Sequence, residues 1–395
     1  MPGSKPGIRS APHSVLSRSS SYQIQLLFST HHSCYTMKQM RKIILTGGGT
    51  AGHCIPNLAL VPTLTELGFE VKYIGSREGI EKKLVADAGL PYFGISSGKL
   101  RRYFDLKNFS DPFRVIKGFG EALSILKKEK PDVVFSKGGF VSVPVVRAAS
   151  VLKIPVVIHE SDMTPGLANK LSYGAASKIC CSFKETLKHL PAEKAVFTGS
   201  PIRSGILNGD RQKARFFTGI RQGDYTTILV IGGSLGAQHV NEEIRKLLPA
   251  LSDEYNVIHL CGKGKLDPTL NHTEGYVQYD YIDKELPDLF ALADIIISRA
   301  GSNAIFEILA LKKPNILIPL PSGSSRGDQI LNAKAFESAG YSYLLMDEDM
   351  DGTSLMNAIK YVKDHRLDYI ESMENAAESG AVDSICGILD RFGKE

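Results

Sequence analysis

No run of about 18 uncharged apolar residues, the length a helix needs to cross a bilayer, occurs in the 395 residues of the chain. Any membrane contact is therefore expected to be peripheral. Cysteine is scarce, six in all (Cys34, Cys54, Cys180, Cys181, Cys261 and Cys386), with no CxxC and no paired histidine spacing. That excludes a disulfide framework and the common zinc signatures, and it fits a reducing compartment. Acidic residues are missing from residues 1–40, which hold Lys5, Arg9, Arg18 and Lys38. Without that stretch the formal net charge of +5 drops to +1, so the basic excess does not imply a nucleic-acid partner. Residues 1–36 are Ser-rich and carry Pro2, Pro6 and Pro12. They read as a tail, as a start placed ahead of the true one at Met37 or Met40, or as a targeting segment.

What remains has an ordinary globular balance, 43% hydrophobic and 23% charged, and is too long for one core, since single cores stop growing near roughly 250 to 300 residues. From Arg41 short β-branched runs alternate with amphipathic stretches, the pattern of parallel α/β units. Strands are expected at Lys42–Thr46, Val71–Ile74, Val133–Ser136, Val156–His159 and Lys178–Cys181, then at Thr227–Ile231, Val257–Leu260, Ile295–Ser298 and Asn315–Ile318. Helices are expected at Pro56–Leu67, Pro112–Lys128, Val143–Leu152 and Pro165–Tyr173. The fold class is α/β: two doubly wound, Rossmann-like domains over 37–202 and 203–375, facing a cleft, with a last helix in 376–395 expected to pack back on the first domain. Ligands of such sheets sit outside the carboxyl ends of the strands.

The loops at those ends carry the chemistry. Thr46–His53 (TGGGTAGH) joins a strand to a helix, so its glycines let backbone approach a phosphate while the helix start supplies amide donors. Gly47, Gly49 and Gly52 also spell GxGxxG, but no carboxylate closes the next strand, which runs into Gly75, Ser76 and Arg77, as a dinucleotide site requires. His53 ends this loop, either as a structural histidine or as a general base on an acceptor hydroxyl. A second glycine loop, Ile231–Ala237 (IGGSLGA), opens the other half, with Ser234 as helix cap or phosphate donor. Ser136–Pro144 (SKGGFVSVP) follows a strand of the first half. Ser298–Glu307 (SRAGSNAIFE) offers the Ser302 and Asn303 amides and, one turn on, Glu307 for ribose hydroxyls; Pro321–Ala333 offers Asp328 and Gln329 for sugar hydroxyls.

Two further segments invite other readings. Asp347, Asp349, Asp351 and Gly352 begin like a calcium loop, but the twelfth position is Ala358 where a bidentate Glu is needed; an acidic turn before a helix is expected and no metal. Between Lys99 and Lys117 six bases, Arg101 and Arg102 among them, alternate with Phe104 and other aromatics. Such a segment suits an anionic membrane surface, each base being worth about 1 kcal/mol there, or a solvated loop.

Taken in order, TGGGTAGH, SKGGFVSVP, HESDMTPGLANK (His159–Lys170), GSPIR (Gly199–Arg203), GGSLGA, SRAGSNAIFE and GDQILNA resemble the MurG family of glycosyltransferase family 28, the N-acetylglucosaminyltransferases of peptidoglycan synthesis. The resemblance spans about Met40 to Arg391. It implies a GT-B fold and inverting transfer of N-acetylglucosamine from UDP-GlcNAc to the C4 hydroxyl of lipid I, without cofactor or metal, on the cytoplasmic face of the plasma membrane. Other cell-wall synthesis proteins are implied as possible partners; nucleic acid is not. By position, Arg203 and the Ile282 backbone would address uracil, Glu307 the ribose, Ser234, Ser302 and Asn303 the diphosphate. Asp328, Gln329 and Asp162 would face the sugar, with Thr50 and Gly52 also on the donor. His53 matches the acid/base histidine, and Gly48, Gly49, Gly138 and Gly139 match the acceptor-diphosphate loops. Asp162 stands where many members have Asn, and Asp328 where others have Gln. On the same architecture, a UDP-sugar:diacylglycerol transferase and a UDP-GlcNAc 2-epimerase are rivals, as is a non-catalytic UDP-sugar-binding subunit.

Overall fold

The computed structural model describes residues 40–98, 111–233, 236–251, 253–323, 327–376 and 380–392, the side chains of Asp111 and Pro112 excepted. The first half contains β1 (Arg41–Thr46), α1 (Ala51–Ala59), α2 (Val61–Glu66), β2 (Phe69–Ser76), α3 (Ile80–Asp87), β3 (Tyr92–Ile95), α4 (Asp111–Glu129), β4 (Val133–Ser136), α5 (Ser142–Val151), β5 (Val156–Glu160), α6 (Leu167–Ser172), β6 (Lys178–Cys181) and β7 (Ala195–Phe197). Its seven strands are parallel, in the order β3-β2-β1-β4-β5-β6-β7. The second half contains α7 (Arg211–Thr218), β8 (Thr226–Ile231), α8 (Gln238–Leu251), β9 (Tyr255–Leu260), β10 (Tyr276–Tyr279), α9 (Leu286–Leu292), β11 (Ile295–Ser298), α10 (Ser302–Ala310), β12 (Asn315–Leu317), α11 (Asp328–Ser338), β13 (Tyr343–Leu344), α12 (Gly352–Asp364) and α13 (Arg366–Glu374). Its sheet repeats the arrangement as β10-β9-β8-β11-β12-β13.

The central strands are covered by helices on both faces, which is why β4 and β5 open with apolar runs, Val133–Phe135 and Val156–Ile158, and are buried at every residue down to the polar Ser136, His159 and Glu160 at their ends. In each sheet the strand order reverses at one place, between β1 and β4 and between β8 and β11, and ligands of doubly wound sheets bind there. The pairs Thr46↔Ser136 and Ile231↔Ser298 end these strands level, so their following loops rise side by side.

The expected helix at Pro56–Leu67 is two helices. It starts earlier, at Ala51, and breaks at Leu60, with Pro62 in the first turn of α2. Pro56 lies inside α1 and has no N–H for the carbonyl four residues back. That carbonyl, on Gly52, accepts instead from the Asn303 side chain of the second half at 2.9 Å. The final helix, α14 (Ala381–Phe392), buries Ile385, Cys386 and Leu389 in the core of the first half with Ile43, Leu45, Leu60 and Leu64, and Asp390 pairs with Arg41 at 2.5 Å.

Candidate functional site

The loops after β1 and β4 meet over the first switch point. Gly139 has φ +81°, and a Cβ there would lie 2.3 Å from the Gly48 carbonyl oxygen and 3.2 Å from His53 Cδ2; only glycine permits that approach. His53 Nδ1 is 3.2 Å from the Lys137 carbonyl. A carbonyl only accepts, so Nδ1 carries the proton and the basic lone pair is on Nε2. Beside them opens a cleft of 1090 Å³ that brings together Gly48, Gly49, Thr50, His53, Gly138, Gly139 and Asp162.

Four charged or titratable groups were not foreseen: Lys137 and Glu160, which line this cleft, and Glu81 and His159, which bond to residues that do. Glu81 is wholly buried; its carboxylate accepts from Ser76 N at 2.9 Å, Ser76 Oγ at 2.6 Å and Gly49 N at 3.2 Å. The Gly49 amide is therefore already engaged, and a ligand anion on this loop must be met by other donors. In sequence Glu81 looks like any charged residue in the first turn of a solvated helix. Glu160, also buried, accepts from Asn169 Nδ2 at 2.8 Å, Gly166 N and Ser161 N at 3.0 Å and Asp162 N at 3.3 Å; burial pushes its pKa up against these bonds. Lys137 is 1% exposed and donates to His159 Nδ1 at 2.7 Å and to Ser161 Oγ. Burial lowers the Lys137 pKa to about 7 although Glu160 and Asp162 pull the other way, and burial holds His159 well below the usual histidine range. The only available signal was that both lie in or beside strands buried on every side.

In the second half Arg203 Nε and Nη2 each lie 3.3 Å from Glu307 Oε1, and Arg203 Nη1 lies 3.9 Å from Asp283, next to the buried Ile282. Burial raises the Glu307 pKa and Arg203 opposes it. Ser302 and Asn303 open α10 behind Gly301, with no side chain capping the helix, which leaves first-turn amides and the positive end of the helix dipole for a ligand. Gln329 accepts from Leu320 N at 3.1 Å and its amide nitrogen faces Gly301; Asp328 is in the first turn of the same helix. Asp162 does not stand alone toward this side: its Oδ1 accepts from Asn332 Nδ2 at 3.0 Å, while Asn332 Oδ1 accepts from Met163 N at 3.0 Å. Asn332, in the GDQILNA motif, was not foreseen as a bridge. Ser234, Arg101, Arg102, Phe104 and residues 1–36 lie outside the described residues.

The acidic turn is committed to structure. Asp347 accepts from His239 Nδ1 at 2.9 Å and pairs with Arg299, and Asp351 caps α12 through a reciprocal bond with Ser354.

Comparison with known proteins follows this geometry. The glycosyltransferase family 28 N-terminal domain matches residues 43–181 and the family 28 C-terminal domain residues 227–386. The chain is 57% identical, over 89% of its length and 99% of the relative's, to the UDP-N-acetylglucosamine--N-acetylmuramyl-(pentapeptide) pyrophosphoryl-undecaprenol N-acetylglucosamine transferase of Lachnoclostridium phytofermentans. It is similar in fold to the crystal structure of Acinetobacter baumannii MurG, with TM-score 0.69, 24% identity, 89% of this chain and 99% of that one covered. A UDP-N-acetylglucosamine 2-epimerase from Listeria monocytogenes shares the fold at TM-score 0.67 and 13% identity, with 90% and 97% covered.

Proposed function

This chain belongs to glycosyltransferase family 28, and from that premise we propose how its residues divide the work of one transfer. The chain moves N-acetylglucosamine from UDP-GlcNAc to the C4 hydroxyl of lipid I, giving lipid II in peptidoglycan synthesis. The first-half cleft takes the acceptor and the second half the donor. The acceptor oxygen attacks the anomeric carbon in line, the bond from that carbon to the diphosphate breaks with its electron pair leaving on UDP, and the hydroxyl proton goes to His53 Nε2. Amides at the start of α10 meet the charge that develops on the diphosphate, so much of the rate comes from positioning and electrostatics. Arg203 and Ile282 are assigned to uracil, Glu307 to the ribose, and Asp328 and Gln329 to the sugar.

The observation that carries this reading is the Gly52 to Asn303 hydrogen bond. It joins the loop that bears His53 to the helix start assigned to the leaving group, so base and leaving group face one another across a single contact. The test is transfer from UDP-GlcNAc to a short-chain lipid I analogue; no product from folded, UDP-binding protein sinks it. A membrane surface for the acceptor's lipid is part of the same proposal. It is supported by Phe113 and Ile116 on α4, exposed by 76% and 68%, beside Arg114 and Lys117, which line the cleft. Phe113→Ser with Ile116→Ser is expected to weaken binding to anionic vesicles, and equal binding by wild type and variant counts against it.

A further inference from the structure

Among the described residues Lys137 is the one buried lysine that lines the acceptor cleft, and the transfer step gives its side chain no part. Its surroundings nevertheless tie it to everything that step needs. Its own carbonyl holds His53 Nδ1. Its Nζ donates to His159 Nδ1, and the direction of that bond is fixed, because His159 Nε2 lies 2.9 Å from the Gly199 carbonyl and must carry the ring proton there. Gly199 belongs to the segment leading into the second half. The other Lys137 bond, to Ser161 Oγ, enters the turn whose next two residues, Asp162 and Met163, are bonded to Asn332 of the second half. One side chain therefore ties the loop that holds the base, through His159, to the linker at Gly199 and, through Ser161, to the turn that meets Asn332 of the second half.

We propose that Lys137 is a positioning residue for sugar transfer: held between His159 and Ser161, its Nζ sets the His53 loop against the donor half. The proposal rests on the reading that His53 takes the acceptor proton. A purely structural role fits the energetics less well. Burying a lysine costs stability, and a whole buried ion pair replaced by apolar side chains of similar volume is often neutral or stabilising, so stability alone gives little reason for a lysine here. Glu160, the nearest compensating carboxylate, keeps its four donors from Asn169, Gly166, Ser161 and Asp162 without the lysine. The groups that face Lys137 are His159, Glu160 and Asp162 with Cys180 on the neighbouring strand, and none of them supplies a second cation to replace it.

The experiment compares full-length wild type with Lys137→Met and, as a milder cut that keeps the lysine, Ser161→Ala. Each is assayed for transfer from UDP-GlcNAc to the lipid I analogue, for UDP binding, and for thermal unfolding. Lys137→Met is expected to lower kcat at least about tenfold, the scale of a base moved out of line, with the donor KM within about twofold and Tm within about 5 °C. Ser161→Ala is expected to lower kcat about threefold, a fraction of one hydrogen bond's worth. Unchanged kcat in Lys137→Met overturns the proposal. So does a fall in kcat matched by lost UDP binding and a lower Tm, which is what a structural lysine would give. Should Lys137→Met not fold, Ser161→Ala alone decides, unchanged kcat overturning the proposal. Absence of product from wild type itself would fault the transfer reading instead, and the two failures are thereby separate.

Discussion

At the first switch point, between β1 and β4, the strand ends are crowded with buried ionisable groups: Glu81 under the Gly49 amide, Lys137 between His159 and Ser161, Glu160 on four donors. At the second, between β8 and β11, the same topology carries open first-turn amides and two ion pairs, Arg203 with Glu307 and Arg299 with Asp347. Buried charge is costly unless paired and hydrogen-bonded, and perturbed groups cluster where protons move. On the proposed division of work, the contrast separates a half that would handle the acceptor's proton from a half that would grip a nucleotide.

The sharpest way to break that contrast is to remove one group from each side. His53→Ala is expected to lower turnover about 10²- to 10⁴-fold, the usual share of a general base, with UDP affinity unchanged by isothermal titration. Loss of UDP binding in that variant would mean that the halves do not divide the work as described. Arg203→Ala acts on the other side, leaving Glu307 buried without its cation. Donor affinity is expected to fall about 10- to 100-fold, roughly 1.4 to 2.7 kcal/mol, while turnover at saturating donor changes less than threefold or so.

A pH titration of stability sharpens the same contrast, because the two halves respond with the same sign in separate pH windows. The Lys137 pKa is depressed to about 7 from 10.5, so between those values the unfolded chain binds the proton that the folded one has lost, and stability rises with pH, by at most about 1.4 kcal/mol per unit. In the second half Asp347 is held below its ordinary 3.8, burial being outweighed by His239 and Arg299. Its contribution is present above 3.8 and is lost as pH falls through the lower folded value. Denaturant midpoints measured from pH 7 to about 10 should climb in wild type relative to Lys137→Met. Parallel curves would mean that Lys137 is not depressed in the folded chain.

Much of this architecture was legible in the residues. The nine strands expected are the interior of both sheets, because a strand covered on both faces must be an apolar run. The four strands not anticipated, β3, β7, β10 and β13, are the four sheet edges. Tyr92–Ile95, Ala195–Phe197, Tyr276–Tyr279 and Tyr343–Leu344 are short and mostly half-buried, so they carry neither a long β-branched run nor a clean alternation. The glycine loops were legible for the same local reason, since backbone approach demands glycine. Lys137, Glu81 and Asn332 were not, because their roles depend on partners 22, 32 and 170 residues away, and a single sequence holds no trace of that pairing.

The smallest effect concerns the acidic turn, where an aspartate run could have made the second half a cation site and blurred its contrast with the first. Asp351 instead accepts from Ser354 N at 2.7 Å and donates its own backbone N–H to Ser354 Oγ at 2.8 Å, closing a capping box on α12. Leu355, Ala358, Ile359 and Val362 of that helix are buried in the second-half core. Asp351→Ala removes the cap and nothing else, so it is expected to cost about 1 kcal/mol of stability, the common loss for an N-cap, with transfer unchanged at a temperature where the variant is folded. A loss of transfer in Asp351→Ala that added divalent cation restores would make the turn a functional metal site, and the second half could then no longer be described as a nucleotide grip built from amides and ion pairs alone.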